Sequence, residues 1–131
     1  AFKGIDTLHK LYAVLRKSWS SSTAYKSCQS EWVSEDPSYG QCAITATLVY
    51  DMFGGSIHRI RVEGGGTHYF NKITGQYVDL TREQFDLYNI EVAYEPNETM
   101  QREYCCKNPD TNARYRQLQR NIIAYLKNNE D

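Results

Sequence analysis

Pro37-Ser38-Tyr39-Gly40-Gln41-Cys42-Ala43-Ile44-Thr45-Ala46 is a turn that runs directly into an apolar segment. From Gln41 to Phe53 the apolar residues Ala43, Ile44, Ala46, Leu48, Val49, Met52 and Phe53 fall on most sides of a helix. A helix that is apolar nearly all round belongs in the middle of a fold. Gly54-Gly55 stops it, because glycine takes the left-handed cap without a steric penalty. The stretch therefore predicts a central helix with Cys42 in its first turn, around which the other elements must pack.

Downstream, Ser56 to Glu63 reads as a strand through Ile57, Ile60 and Val62, and Gly64-Gly65-Gly66 as a link without side chains. Thr67 to Ile73 and Gln76 to Leu80 form a hairpin with Gly75 in its turn. Thr81-Arg82-Glu83-Gln84 matches a capping box, which starts a short helix at Thr81. Ile90 to Tyr94 reads as a further strand ending at Pro96, Asn97 to Lys107 carries no clear period, and Asp110 caps a helix to about Asn128. Upstream, Asp6 or Thr7 caps a helix whose buried face is Leu8, Leu11, Tyr12, Leu15 and Trp19, leaving His9 in solvent. The stretch from Ser22 to Pro37 is a long connection anchored by Trp32. The expectation is a single α+β domain over residues 1–131: the Cys42 helix on a small antiparallel sheet, with the N- and C-terminal helices flanking it.

A chain of 131 residues can bury a real core without staples. Its net charge of −1, with no run of five like charges, argues against nucleic acid or an anionic membrane as the main partner. No apolar run approaches the roughly 18 residues of a membrane span. The opening Ala1-Phe2-Lys3 lacks methionine and an apolar signal, so a removed N-terminal segment stays open. Cys28, Cys42, Cys105 and Cys106 lack the spacing of a secreted disulfide scaffold. Although Asn97-Glu98-Thr99 fits a glycosylation acceptor, the cysteines favour a reducing, cytoplasmic setting.

Three residues carry candidate chemistry. A thiol at a helix N-terminus lies where free amides and the macrodipole favour negative charge, and the thiolate is the reactive form. For a hairpin loop of two or four residues, cross-strand partners have positions summing to an odd number. His68 then lies opposite Asp79 or diagonal to it, on one face, close enough for the carboxylate to orient the imidazole. Taken singly, Cys42 reads as a small core residue, His68 as packing and Asp79 as a turn cap. Together, in this order, they form a nucleophile, base and orienter. The helix amides or the Gln41 side chain could hold an oxyanion, and Trp32, Tyr39 and Asn71 are candidate substrate contacts. Trp19, Tyr69 and Phe70 could also line a cleft. Cys42, His68 and His58, with Cys105 and Cys106, offer metal-ligand atoms but no CxxC or HxxxH spacing. Gly64-Gly65-Gly66 is not followed by the Lys-Ser/Thr of a phosphate loop. No metal or cofactor is expected.

Ser18-Trp19-Ser20, Thr23-Ala24, Trp32, the Pro37–Ala46 stretch, Phe53-Gly54-Gly55, His68-Tyr69-Phe70-Asn71 and Val78-Asp79-Leu80-Thr81-Arg82-Glu83-Gln84-Phe85 resemble the bacterial YunG-like family. The resemblance runs over residues 18–86, with Phe70 where tryptophan is expected. The family has little assigned function. More loosely, Cys42 on a central helix before His68 and Asp79 on strands is similar to the transglutaminase-like branch of the papain-like fold. That resemblance implies Cys42 as nucleophile, His68 as base and Asp79 as its orienter. The papain-type oxyanion glutamine would fall at Asp36, which puts the role of the adjacent Gln41 in doubt. The expected activity is thiol-dependent hydrolysis or acyl transfer on a peptide, amide or ester. The competing expectation is a small-ligand or protein-binding module that keeps the fold without turnover, and third is a structural protein with an inert Cys42.

Overall fold

Helix α2, Cys42–Phe53, occupies the centre of the computed structural model, which describes residues 2–62, 66–105 and 107–129. Its apolar surface is split between two partners. Ile44, Leu48 and Val49 join Leu11, Leu15 and Trp19 of the N-terminal region and Tyr115, Leu118 and Ile122 of the C-terminal helix in the main core. Ala46 faces the other way, onto Ile57 and Cys105 at the sheet. The elements are α1 (Leu8–Ser18), two short 3-10 turns (Ser21–Thr23 and Lys26–Glu31), α2, β1 (Ser56–Arg61), β2 (Thr67–Ile73), β3 (Gln76–Val78), α3 (Glu83–Asp86), β4 (Glu98–Met100), α4 (Arg102–Cys105) and α5 (Pro109–Asn128). The chain is thus α+β, with α2 between a four-stranded antiparallel sheet and the α1–α5 pair.

The sheet runs β3-β2-β1-β4. The β2–β3 turn is Thr74-Gly75, with both φ angles positive, the two-residue geometry that matches strand twist. Asn71 pairs with Val78 and Ile73 with Gln76, so partner positions sum to an odd number. Ladder pairing stops at Val78, short of the expected Leu80. In β1 it stops at Arg61; Glu63, Gly64, Gly65 and Cys106 lie outside the described residues.

Several expectations are corrected. Residues 90–94 form no strand; the open edge of β1 is filled instead by Glu98–Met100, with Ile57 opposite Met100 and Arg59 opposite Glu98. The capping box does not form: α3 begins at Glu83 after an N-cap, Arg82, that makes no side-chain cap bond. Thr81 Oγ1 turns to Asp79 Oδ1 at 3.3 Å, and the Gln84 amide donates to Ser38 Oγ at 3.0 Å. A tertiary acceptor replaces the local one. On α5 the cap is Asn108, whose Oδ1 accepts from the Asp110 amide at 2.8 Å, with Pro109 in the first turn. Asp110 instead pairs with Arg114 at 3.1 Å. Thr7 caps α1 as expected, accepting from the Lys10 amide at 3.1 Å.

Two buried side-chain bonds hold α2 in register with its partners. Trp19 Nε1 donates to Thr45 Oγ1 at 3.0 Å from one side, and Asn71 Nδ2 donates to the Ala46 carbonyl at 2.9 Å from the sheet. Asn71 is 2 % exposed, so its amide has no water to turn to. Asn71→Ala should therefore lower the unfolding free energy by about 1–3 kcal/mol. The check is a urea titration whose midpoint falls while its slope holds.

Candidate active site

The first turn of α2 puts Cys42 at the floor of a cleft of about 1030 Å³ whose walls include His68, Tyr39, Tyr69, Gln84 and Phe85. Gly40 makes this approach possible. Its φ is +74°, and a Cβ there would lie 3.0 Å from Cys28 Cβ and 3.1 Å from the Tyr25 nitrogen. The chain can therefore turn tightly before the helix only with glycine at this position. The Cys42 side chain is half-buried, with Sγ 3.9 Å from the Thr67 carbonyl. The amides of Cys42, Ala43 and Ile44 precede any i−4 carbonyl inside the helix.

His68 and Asp79 meet as the hairpin parity implies. With a two-residue loop they are diagonal rather than opposite, and His68 Nε2 lies 2.7 Å from Asp79 Oδ2. Both side chains are nearly dry, at 1 % and 5 % exposure. The imidazole is wedged between Phe85, edge-on at 4.7 Å, and Phe70, stacked at 6.3 Å. Its Nδ1 is buried with no hydrogen-bond partner among the described residues.

The electrostatics of the pair follow from these contacts. Burial pushes the Cys42 thiol up, but the neighbouring His68 ring and its charge outweigh it and hold the pKa below that of an ordinary thiol. Burial alone would push His68 down. Its bond to Asp79, then the Cys42 thiolate, reverse the sign and raise it to about 9. Thiolate and imidazolium each favour the other's charged form.

Asp79 is held by more than the imidazole. The Thr81 amide and hydroxyl reach Oδ1 at 3.2 and 3.3 Å, and Tyr94 OH donates to Oδ2 at 2.8 Å. Arg82 in turn donates to Tyr94 OH at 3.2 Å. Tyr94 carried no sequence signal, because its role depends on a loop folding back over 15 residues. Gln84 was missed likewise. It lines the cleft and accepts from the Gly40 amide at 3.4 Å, while its Nε2 donates to the Thr81 carbonyl at 2.9 Å.

Of the accessory candidates Tyr69 reaches the cleft, and so does Tyr39. The Tyr39 hydroxyl donates to Glu31 at 3.2 Å, and the neighbouring Cys28 thiol, with burial, raises its pKa. Gln41 is corrected. It is fully buried, its Oε1 accepts from Thr23 Oγ1 at 2.7 Å, and its Nε2 donates to the Ser20 and Tyr39 carbonyls. That removes the side chain from any oxyanion role. Trp32 is corrected too, since its Nε1 is spent on the Pro37 carbonyl at 3.1 Å outside the cleft. Asn71 points at α2, Trp19 and Phe70 are core residues, and Asp36 is buried away from the cleft.

His58 is engaged by Ser56 and Asn97 at 2.7 and 2.9 Å, and Phe70 stacks between it and His68. Among the described residues no group of three or more His, Cys, Asp or Glu is placed to hold a metal ion. Nor is any described helix long and apolar enough to cross a membrane.

The family model described as YunG protein matches residues 7–127. The chain is 42 % identical over 72 residues to the "Uncharacterized protein YunG" of Bacillus subtilis (strain 168). That match covers 55 % of the chain and 57 % of the relative, so the chain spans a little over half of that protein's length. No solved structure matches.

Iodoacetamide should alkylate Cys42 at pH 6 as a thiolate. In His68→Gln the rise of rate with pH should move toward the ordinary thiol range near about 8.5, slowing labelling at pH 6 by roughly 10- to 100-fold. Rates by peptide mass spectrometry decide it.

Tyr94 tests the carboxylate. Its bond draws on the charge of the oxygen that faces His68, so Tyr94→Phe should leave more negative charge facing the ring. The His68 pKa should then rise beyond about 9, read by ring-proton NMR titration. A fall would mean that Tyr94 serves to orient Asp79 instead.

Proposed function

From a chain that belongs to the YunG protein family and lines one cleft with Cys42, at the first turn of a buried helix, and with His68, itself bonded to Asp79, we propose a cysteine-dependent hydrolase acting on an amide or ester. The observation that carries this reading is the His68 ring: one nitrogen 2.7 Å from Asp79, the other buried and unpartnered beside a cleft that Cys42 shares. A buried polar atom without a partner is costly in a merely structural role. It is useful where a proton must be handed on.

In the proposed cycle Cys42 thiolate attacks the carbonyl carbon, and the oxyanion forms against the first amides of α2. The imidazolium of His68 gives its Nδ1 proton to the departing nitrogen or oxygen, and the C–N or C–O bond breaks to leave a thioester. Neutral His68 then takes a proton from water. The hydroxide adds to the thioester carbonyl, the C–S bond breaks, and acid, thiolate and imidazolium are restored. Asp79, with Tyr94 and Thr81 behind it, keeps the ring oriented through both proton transfers. The likeness to the transglutaminase-like branch of the papain-like fold belongs to this proposal and rests on Cys42 opening a central helix before His68 and Asp79 in chain order. A reducing, cytoplasmic setting belongs to it as well, since the nucleophile must stay a thiol.

Water is the acceptor favoured by the cleft, whose wall includes exposed Tyr25 and Tyr104. A panel of thioester and glutamine-amide reporters, with and without excess primary amine, tests the proposal. Expected is turnover that Cys42→Ala abolishes and that His68→Gln lowers by about 10²–10⁴-fold, with product mainly the free acid. Partition to the amine would make it an acyl transferase. No Cys42-dependent turnover across the panel would leave a binding module.

A further inference from the structure

The charged lining of the cleft is one-sided. The chain as a whole has 15 Lys and Arg against 16 Asp and Glu. Among the described residues, however, the cleft is lined by Arg59, Lys107 and Arg114 and by no carboxylate. The shallower groove behind Asp79 is the opposite, with Asp79, Glu83 and Asp86 around Arg82. The carboxylates that pair with the cleft arginines, Glu98 at 2.7 Å from Arg59 and Asp110 at 3.1 Å from Arg114, are themselves outside the lining.

Two of these cations are held in place. The Arg59 guanidinium stacks over Tyr104 at 5.4 Å and that of Arg114 over Tyr25 at 5.5 Å, from separate elements. Lys107 is exposed and makes no ion pair among the described residues. None of the three is needed to make the thiol reactive, because Cys42 is governed by burial, His68, the Tyr69 backbone and Asp79. Arg114, 4 % exposed, also braces the Thr23 carbonyl at 3.2 Å. Exposed Lys107, with the Arg59 guanidinium beyond the Nε that Glu98 holds, is therefore the charge left to face a ligand.

We propose that the cleft selects acyl substrates bearing a compact anion, a carboxylate or phosphate set back from the scissile carbonyl, with Arg59 and Lys107 as the specificity-determining residues. The inference rests on Cys42 being the nucleophile. A low-dielectric wall with one sign of charge concentrates ligands of the other, and an ammonium beside a guanidinium attracts either anion even with the guanidinium Nε held by Glu98.

The two layers are separated by alkylating the full chain with iodoacetate and with iodoacetamide at pH 6, then comparing rates at Cys42. The ratio of anionic to neutral reagent should fall by about two- to fivefold in Lys107→Gln and again in Arg59→Gln. It should shrink in 0.5 M salt, and stay put in Lys17→Gln on α1. Glutaryl and 4-phosphonobutyryl thioesters, each against the neutral glutaramyl thioester, then ask which anion is preferred; the favoured one should lose its kcat/KM advantage in Lys107→Gln. If iodoacetamide labels Cys42 at pH 6 but the reagent ratio ignores Lys107 and Arg59, the substrate class is wrong and the nucleophile stands. If both reagents label Cys42 no faster than an ordinary thiol, the nucleophile itself is wrong and this inference falls with it.

Discussion

Helix α2 is apolar on both faces, and that single constraint arranges the rest of the molecule. One face needs helices and is covered by α1 and α5; the other needs a sheet and is covered by β1 and β2. The N-terminal end stays open to the cleft. The thiol occupies it because Cys42 is the first helical residue. Burial on two sides also makes the helix a stiff mount, with Trp19 and Asn71 bonded to it from opposite layers. The thiol is thereby set against the sheet strand that carries His68.

The polar residues around that end divide into two groups with different duties. Gln41, Ser38 and Thr23 are buried; Gln41 bonds to Thr23, tying the turn before α2 to the connection after α1, and Ser38 bonds to Thr81 and Gln84, tying it to the start of α3. They shape the cleft from behind. His68, Asp79 and Tyr94 form a second chain in which each proton donor faces a defined acceptor. One atom is left over: His68 Nδ1 has no hydrogen-bond partner among the described residues. In a dry site that asymmetry is expensive unless it is used.

The outer elements set charge rather than chemistry. Arg59 comes from β1, Lys107 from the turn before α5 and Arg114 from α5, and the cleft draws its positive lining from these three separate places. The paired carboxylates lie outside the cleft lining, so the chain can be near neutral overall and still present a locally cationic wall.

By itself the amino-acid sequence determined what periodicity and local chemistry can encode: the helix opened by Cys42, the Thr7-capped first helix, the long last helix, and the hairpin parity that puts His68 and Asp79 on one face. These depend on residues within a few positions of one another. Where an acceptor or partner strand came from far away, the local signal lost. Ser38 displaced the Thr81 cap, Glu98–Met100 rather than residues 90–94 took the edge of β1, and Gln41 turned inward to Thr23. Tyr94 behind Asp79 and the cations of the cleft were likewise decided only in three dimensions. Their contacts join segments whose separation in the chain carries no pattern, because a buried hydrogen bond is chosen by which group is left without water once the core has closed.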